Sequence, residues 1–144
     1  MFRILAAILA LALSAPAEEK IWSALVLASD PEPGKKAKEA PTELAPYAKR
    51  LTKVFNYSQF EILGSATKSI GDGGQERWLV PSPTFMVGVE ATKKGVEYKI
   101  NLELFHERRR LVTTQAMLGL QSPLFISGPK HERGQLIVVF EIRP

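Results

Sequence analysis

Apolar and polar positions trade places almost without a break between residues 96 and 105. Val96, Tyr98, Ile100, Leu102 and Leu104 point one way, and Glu97, Lys99, Asn101 and Glu103 the other. A period of two marks a strand with one buried face and one wet face. Just before it, Phe85, Val87, Val89 and Ala91 share a face. The two runs predict a long antiparallel hairpin. A four-residue loop from Thr92 to Gly95 sets Val89 opposite Tyr98, Val87 opposite Ile100 and Phe85 opposite Leu102. A three-residue loop would set the same side chains against Glu and Lys, so hydrophobic matching selects the longer one. Gly95 supplies the positive φ such a loop needs.

The other elements follow from their own periods. Residues 21–28 are apolar on both faces and end at Ser29-Asp30-Pro31, which predicts a central strand. Residues 30–41 hold three prolines, a glycine, three lysines and two glutamates, the composition of an exposed loop. Leu44, Tyr47, Leu51, Val54 and Phe55 then recur at helical spacing, with Lys49, Arg50, Thr52 and Lys53 opposite. The spacing predicts one amphipathic helix over 42–55. Thr42 would be its N-cap, Pro46 would lie in or near its first turn, and Asn56 would be its stop. Strands follow at 57–63, extended through 65–70, then at 75–80, 111–118, 124–127 and 135–142. Gly71-Asp72-Gly73-Gly74 reads as a hairpin turn, and 106–110 and 128–134 as polar turns. The predicted core is Trp22, Leu25, Leu51, Val54, Phe55, Phe60, Ile62, Val87, Val89, Tyr98, Ile100, Leu102, Val138 and Phe140. The expected fold class is α+β and mainly antiparallel, a β-sandwich or strongly curled sheet with one packed helix.

The first residues break this pattern. Met1-Phe2-Arg3 is a positive start, residues 4–13 are an apolar run too short to span a bilayer, and Ala15-Pro16-Ala17 is a small-x-small cleavage site. Residues 1–17 are therefore expected to be a signal peptide, and 18–144 a single β-rich domain, periplasmic or secreted. About 127 residues are enough for one core without staples. The chain has no cysteine, which excludes a disulfide framework and a thiol nucleophile. Its formal net charge of +4 is mild and makes no case for nucleic acid.

The search for chemistry is mostly negative. No G-x-S-x-G, phosphate-loop, dinucleotide or H-E-x-x-H pattern is present. The carboxylates scatter along solvent-facing positions, with no pair arranged for acid–base work. One feature repeats. His106-Glu107-Arg108 and His131-Glu132-Arg133 contain both histidines of the chain, each in a predicted turn. If the intervening strands run up and back, both turns reach the same end of the structure. Three readings stay open: solvated turns that keep strand ends soluble; a basic rim of Arg108, Arg109, Arg110, Lys130 and Arg133 that holds an anion or acidic partner; and a metal site of two histidines and two glutamates. The binding residues assigned are His106, Arg108, Arg109, Arg110, Lys130, His131 and Arg133. No catalytic residue, metal ligand or cofactor is assigned.

The stretch Leu51-Thr52-Lys53-Val54-Phe55-Asn56-Tyr57-Ser58-Gln59-Phe60-Glu61-Ile62-Leu63 carries a wider likeness, with Leu111-Val112-Thr113-Thr114 and Gly134-Gln135-Leu136-Ile137-Val138-Val139. It resembles a group of short exported bacterial β-rich proteins, over most of the mature chain. The Thr113-Thr114 strand followed by Leu124-Phe125-Ile126-Ser127-Gly128 is also similar to the terminal hairpins of outer-membrane secretins. It lacks their second glycine, and the chain is far shorter than a secretin. Neither likeness transfers a site residue. The sequence favours a non-enzymatic cell-envelope module that binds another protein, with no membrane span in the mature chain. The alternative is a small-ligand or metal-binding periplasmic protein, or a hydrolase, that uses the turns 106–110 and 130–133.

Overall fold

The computed structural model describes residues 19–71, 73–120 and 122–143. The expected signal peptide and its cleavage site lie outside the described residues. The chain folds as strands β1 (Lys20–Ser29), β2 (Gln59–Ser69), β3 (Gln75–Pro81), β4 (Phe85–Lys94), β5 (Glu97–His106), β6 (Arg109–Leu118), β7 (Leu124–His131) and β8 (Gly134–Arg143). A 3-10 turn (Ala45–Tyr47) and a helix, α1 (Ala48–Phe55), lie between β1 and β2. Two four-stranded antiparallel sheets form, ordered β2-β1-β8-β7 and β3-β4-β5-β6. The fold is the expected one, mainly antiparallel β with a single packed helix among the described residues, of which 62% are strand and 9% helical.

The two sheets bury their facing sides against each other. Ile21, Leu25, Leu136, Val138 and Phe140 come from the first sheet; Val87, Val89, Tyr98, Ile100, Leu102 and Leu104 come from the second. Trp78 reaches into this layer and donates its indole N–H to the buried Ser23 hydroxyl at 3.0 Å. Ser23 in turn donates to the Ala66 carbonyl at 3.3 Å, so neither polar group is stranded in the core. β1 and β8 are central, as their unbroken apolar runs predict. Their second faces carry Trp22, Ala24, Val26, Ala28, Ile137 and Val139, which pack under Leu44, Tyr47 and Leu51.

The organising hairpin forms with a different register. Val89 faces Leu102, Val87 faces Leu104 and Phe85 faces His106. β4 runs on through Lys94, and the chain reverses on two residues, Gly95 (φ 66°) and Val96. The expected pairing was displaced by an even number of residues, which leaves every side chain on its proper face. Hydrophobic matching therefore cannot separate the two registers. Val96 leaves the apolar face and stands exposed in the turn.

The helix is shorter than 42–55. Thr42 does not cap it: the 3-10 turn starts after Leu44, which makes no side-chain cap. Pro46 lies within that turn, where its missing N–H is harmless. Asn56 is the stop, left-handed at φ 58° with its N–H on the Thr52 carbonyl. Val54 is 63% exposed and is not core, because the helix meets the sheet through a narrow stripe centred on Leu51. Phe55 and Ile62 are only half-buried at the margin. The other predicted core residues are buried. The glycine-rich segment from 71 to 74 does not turn a hairpin, since β2 and β3 belong to different sheets. β7 extends to His131, so most of the expected 128–134 turn is strand.

Candidate functional site

β5 and β6 meet in a two-residue turn, Glu107 and Arg108, both left-handed at φ 50° and 69°. That conformation matches the twist of a hairpin but is unfavourable for residues with a Cβ. β7 and β8 meet at Glu132 and Arg133, with Glu132 at φ 51°. The two turns belong to different sheets, and β6 and β7 are not hydrogen-bonded neighbours. They still converge, through the crossover between sheets.

Phe85, at the start of β4, is the joint. Its buried ring stacks on His106 at 4.7 Å between centroids, with 27° between planes. His131 meets the same ring edge-on at 4.8 Å. The two imidazoles are 6.4 Å apart. Each histidine faces the glutamate of its own turn: His106 Nε2 is 3.9 Å from Glu107 Oε1, and His131 Nε2 is 3.6 Å from Glu132 Oε1. Both glutamates are largely in solvent.

The cations surround this pair. Arg108, Arg109, Arg110, Lys130 and Arg133 are all exposed. Among the described residues none of the five lies in an ion pair. Arg109 and Arg110 sit at the start of β6, and Lys130 lies in β7 rather than in a turn. The Asp30 carboxylate accepts from the Ser58 N–H and hydroxyl at 3.0 Å each. Glu32 is held by Lys35 at 3.1 Å. Asp30, Glu32 and Arg133 share the wall of a recess of about 460 Å³ beside the β7–β8 turn. All seven binding residues assigned from sequence thus gather at one end of the sandwich.

The chemistry available there is electrostatic. Among the described residues no group of three or more His, Cys, Asp or Glu side chains is placed to hold a metal ion. Among those residues neither histidine hydrogen-bonds a hydroxyl.

Sequence reasoning missed a second region. On the outer face of the second sheet Arg77, Glu90, Asn101 and Gln115 stand side by side across all four strands. Arg77 Nε and Glu90 Oε2 pair at 2.6 Å. In the next row Leu79, Gly88, Glu103 and Thr113 continue a groove of about 620 Å³. Gly88 supplies no side chain, which leaves the floor low; a Cβ there would meet nothing nearer than 3.9 Å. The signal was present in the polar phase of β4 and β5, but strand order is needed to align it.

No family model, curated protein or solved structure matches this chain. Among the described residues no helix is long and apolar enough to cross a membrane.

Proposed function

We propose that this chain is a non-enzymatic, exported cell-envelope module that binds an acidic protein segment through the basic end formed by the two His-Glu-Arg turns. The observation that supports it most is the packing of both His106 and His131 against the Phe85 ring, with the imidazoles 6.4 Å apart. That contact gathers five exposed cations, none of which lies in an ion pair among the described residues. Like charges held close together repel one another, and an acidic partner relieves that repulsion. Three left-handed turn residues with side chains add conformational strain at the same end. The export motif of residues 1–17 supports the envelope as the place of action.

The test is capture from envelope extract in mild detergent, with the wild-type chain and with Arg108, Arg109 and Arg133 replaced together by Ser. The expected result is a stoichiometric protein retained by the wild type, released by salt and lost by the variant, with nearly equal melting points. Screening acts over about 8 Å at physiological ionic strength, so exposed contacts of this kind weaken as salt rises. No stoichiometric partner, alongside saturable binding of a small ligand, would favour the small-ligand reading instead.

A further inference from the structure

The sandwich has four edge strands, β2 and β7 in the first sheet and β3 and β6 in the second. An edge is a row of unpaired N–H and C=O groups, and proteins guard such rows with prolines, bulges, charges or cover. Three of the edges are interrupted, and the longest unguarded run on any of them is the four residues Leu124–Ser127 of β7. β2 is broken by a bulge near Leu63 and Gly64, and Gly64 lies so close to β3 that a Cβ there would be 2.0 Å from the Pro81 carbonyl. β3 lies against β2 at that contact, ends in Pro81 and carries Glu76 and Arg77. β7 is interrupted by the bulge at Gly128 and Pro129 and then carries Lys130.

β6 is guarded at one end only. Arg109 and Arg110 open it, and a bulge at Leu111 follows. From Val112 to Leu118 it has no charge, no proline, no glycine and no register shift. Thr113, Gln115 and Met117 stand exposed on its outer side, and Val112, Thr114 and Ala116 on its inner side are only half-buried. We propose that this edge pairs with the same edge of a second copy of the chain, antiparallel, about a two-fold axis at Gln115.

Charge and register select that arrangement. A two-fold perpendicular to the sheet keeps both faces continuous only where a residue lies opposite itself. Gln115 is the midpoint of the unguarded segment, so this axis uses all of it. Arg110 then falls opposite Leu120 of the other copy, beyond the end of its strand. Parallel pairing in register would set arginine against arginine. An axis at Thr114 would set Arg110 opposite buried Leu118. With the axis at Gln115 the polar row Arg77, Glu90, Asn101, Gln115 continues into its own mirror sequence across the axis, and the groove gains a second wall.

Because the chain has no cysteine, the register can be read by crosslinking single-cysteine variants. Opposed residues in an antiparallel pair have Cα atoms about 4.5–5.5 Å apart, within disulfide reach. Thr113 would lie opposite Met117 of the other copy, so two Thr113 residues stand about 13 Å apart, beyond that reach. The expected result is a reversible dimer by sedimentation, rapid oxidation of Gln115→Cys to a linked dimer and slow oxidation of Thr113→Cys. Gln115→Lys, at an exposed position, should weaken the dimer by about tenfold or more while leaving the melting point of the dilute monomer unchanged, because two charges then meet at the axis. A wild-type chain that stays monomeric up to about 1 mM overturns the proposal. So do equal crosslinking at 113 and 115, or a dimer indifferent to Gln115→Lys.

Discussion

The two sheets bury their inward faces in the same way and treat their outward faces in opposite ways. The first sheet carries Ala24, Val26, Ile137 and Val139 on its outside and covers them with Leu44, Tyr47 and Leu51. The second carries Arg77, Glu90, Asn101 and Glu103 on its outside and covers them with nothing among the described residues. The first is therefore support, apolar on both sides and intolerant of change. The second leaves a polar face and much of the β6 edge exposed among the described residues. The basic end lies at the joint, where Phe85 of the second sheet packs on His131 of the first.

Substitutions on the two sheets should therefore have unequal effects. The largest effect belongs to the cover. Leu51→Ala should cost about 2–5 kcal/mol, since the side chain is fully buried and the helix cannot close the void. Leu79→Ala, on the open face and 58% exposed, should change stability by less than about 0.5 kcal/mol. Urea denaturation of the two variants reads both, and similar losses would contradict the asymmetry.

Two glycines show the same contrast in the backbone. Gly134 lies in the first sheet, where a Cβ would be 2.0 Å from the Ala28 carbonyl. Gly134→Ala forces the β1–β8 pair apart and should cost about 1–3 kcal/mol. Gly88 lies in the second sheet facing open space. Gly88→Ala should be neutral or stabilise by about 0.5–1 kcal/mol, because glycine weakens a strand interior. The same denaturation curves decide it.

The cover also has a pH signature. Burial pushes the Tyr47 phenol from 10.0 up to about 12, and the Glu141 carboxylate adds in the same direction. The folded state favours the neutral phenol. Its contribution to stability is therefore whole below pH 10 and is lost as pH rises from 10 towards about 12. Burial raises Tyr98 likewise, and its hydrogen bond to Glu19 adds to the rise. Tyr47→Phe should remove part of the alkaline loss, seen as a shallower fall in denaturation midpoint across that window. An unchanged slope would show that the cover over the first sheet is open to water.

How much of this was legible depends on what each signal encodes. The strands and their faces were readable because alternation reports burial directly, as at Tyr98, Ile100 and Leu102. The hairpin register was not, because a displacement by an even number of residues preserves every face. Val54 continued a helical stripe but lies past the narrow contact that Leu51 makes. The convergence of His106 and His131 could be argued from strand count, yet it is achieved by a crossover between sheets. The groove on the second sheet joins residues from four strands, and strand order is a long-range fact that no local pattern holds.

The central claim is that the two turns form one basic site. The chain has only two histidines, and both lie at that site, so their ring resonances report on it alone. Poly-glutamate added at low salt should shift both imidazole signals with a single midpoint. Salt should reverse the shifts, and the Arg108, Arg109 and Arg133 to Ser variant should show neither. Signals that move with separate midpoints, or that ignore the polyanion, would contradict the claim.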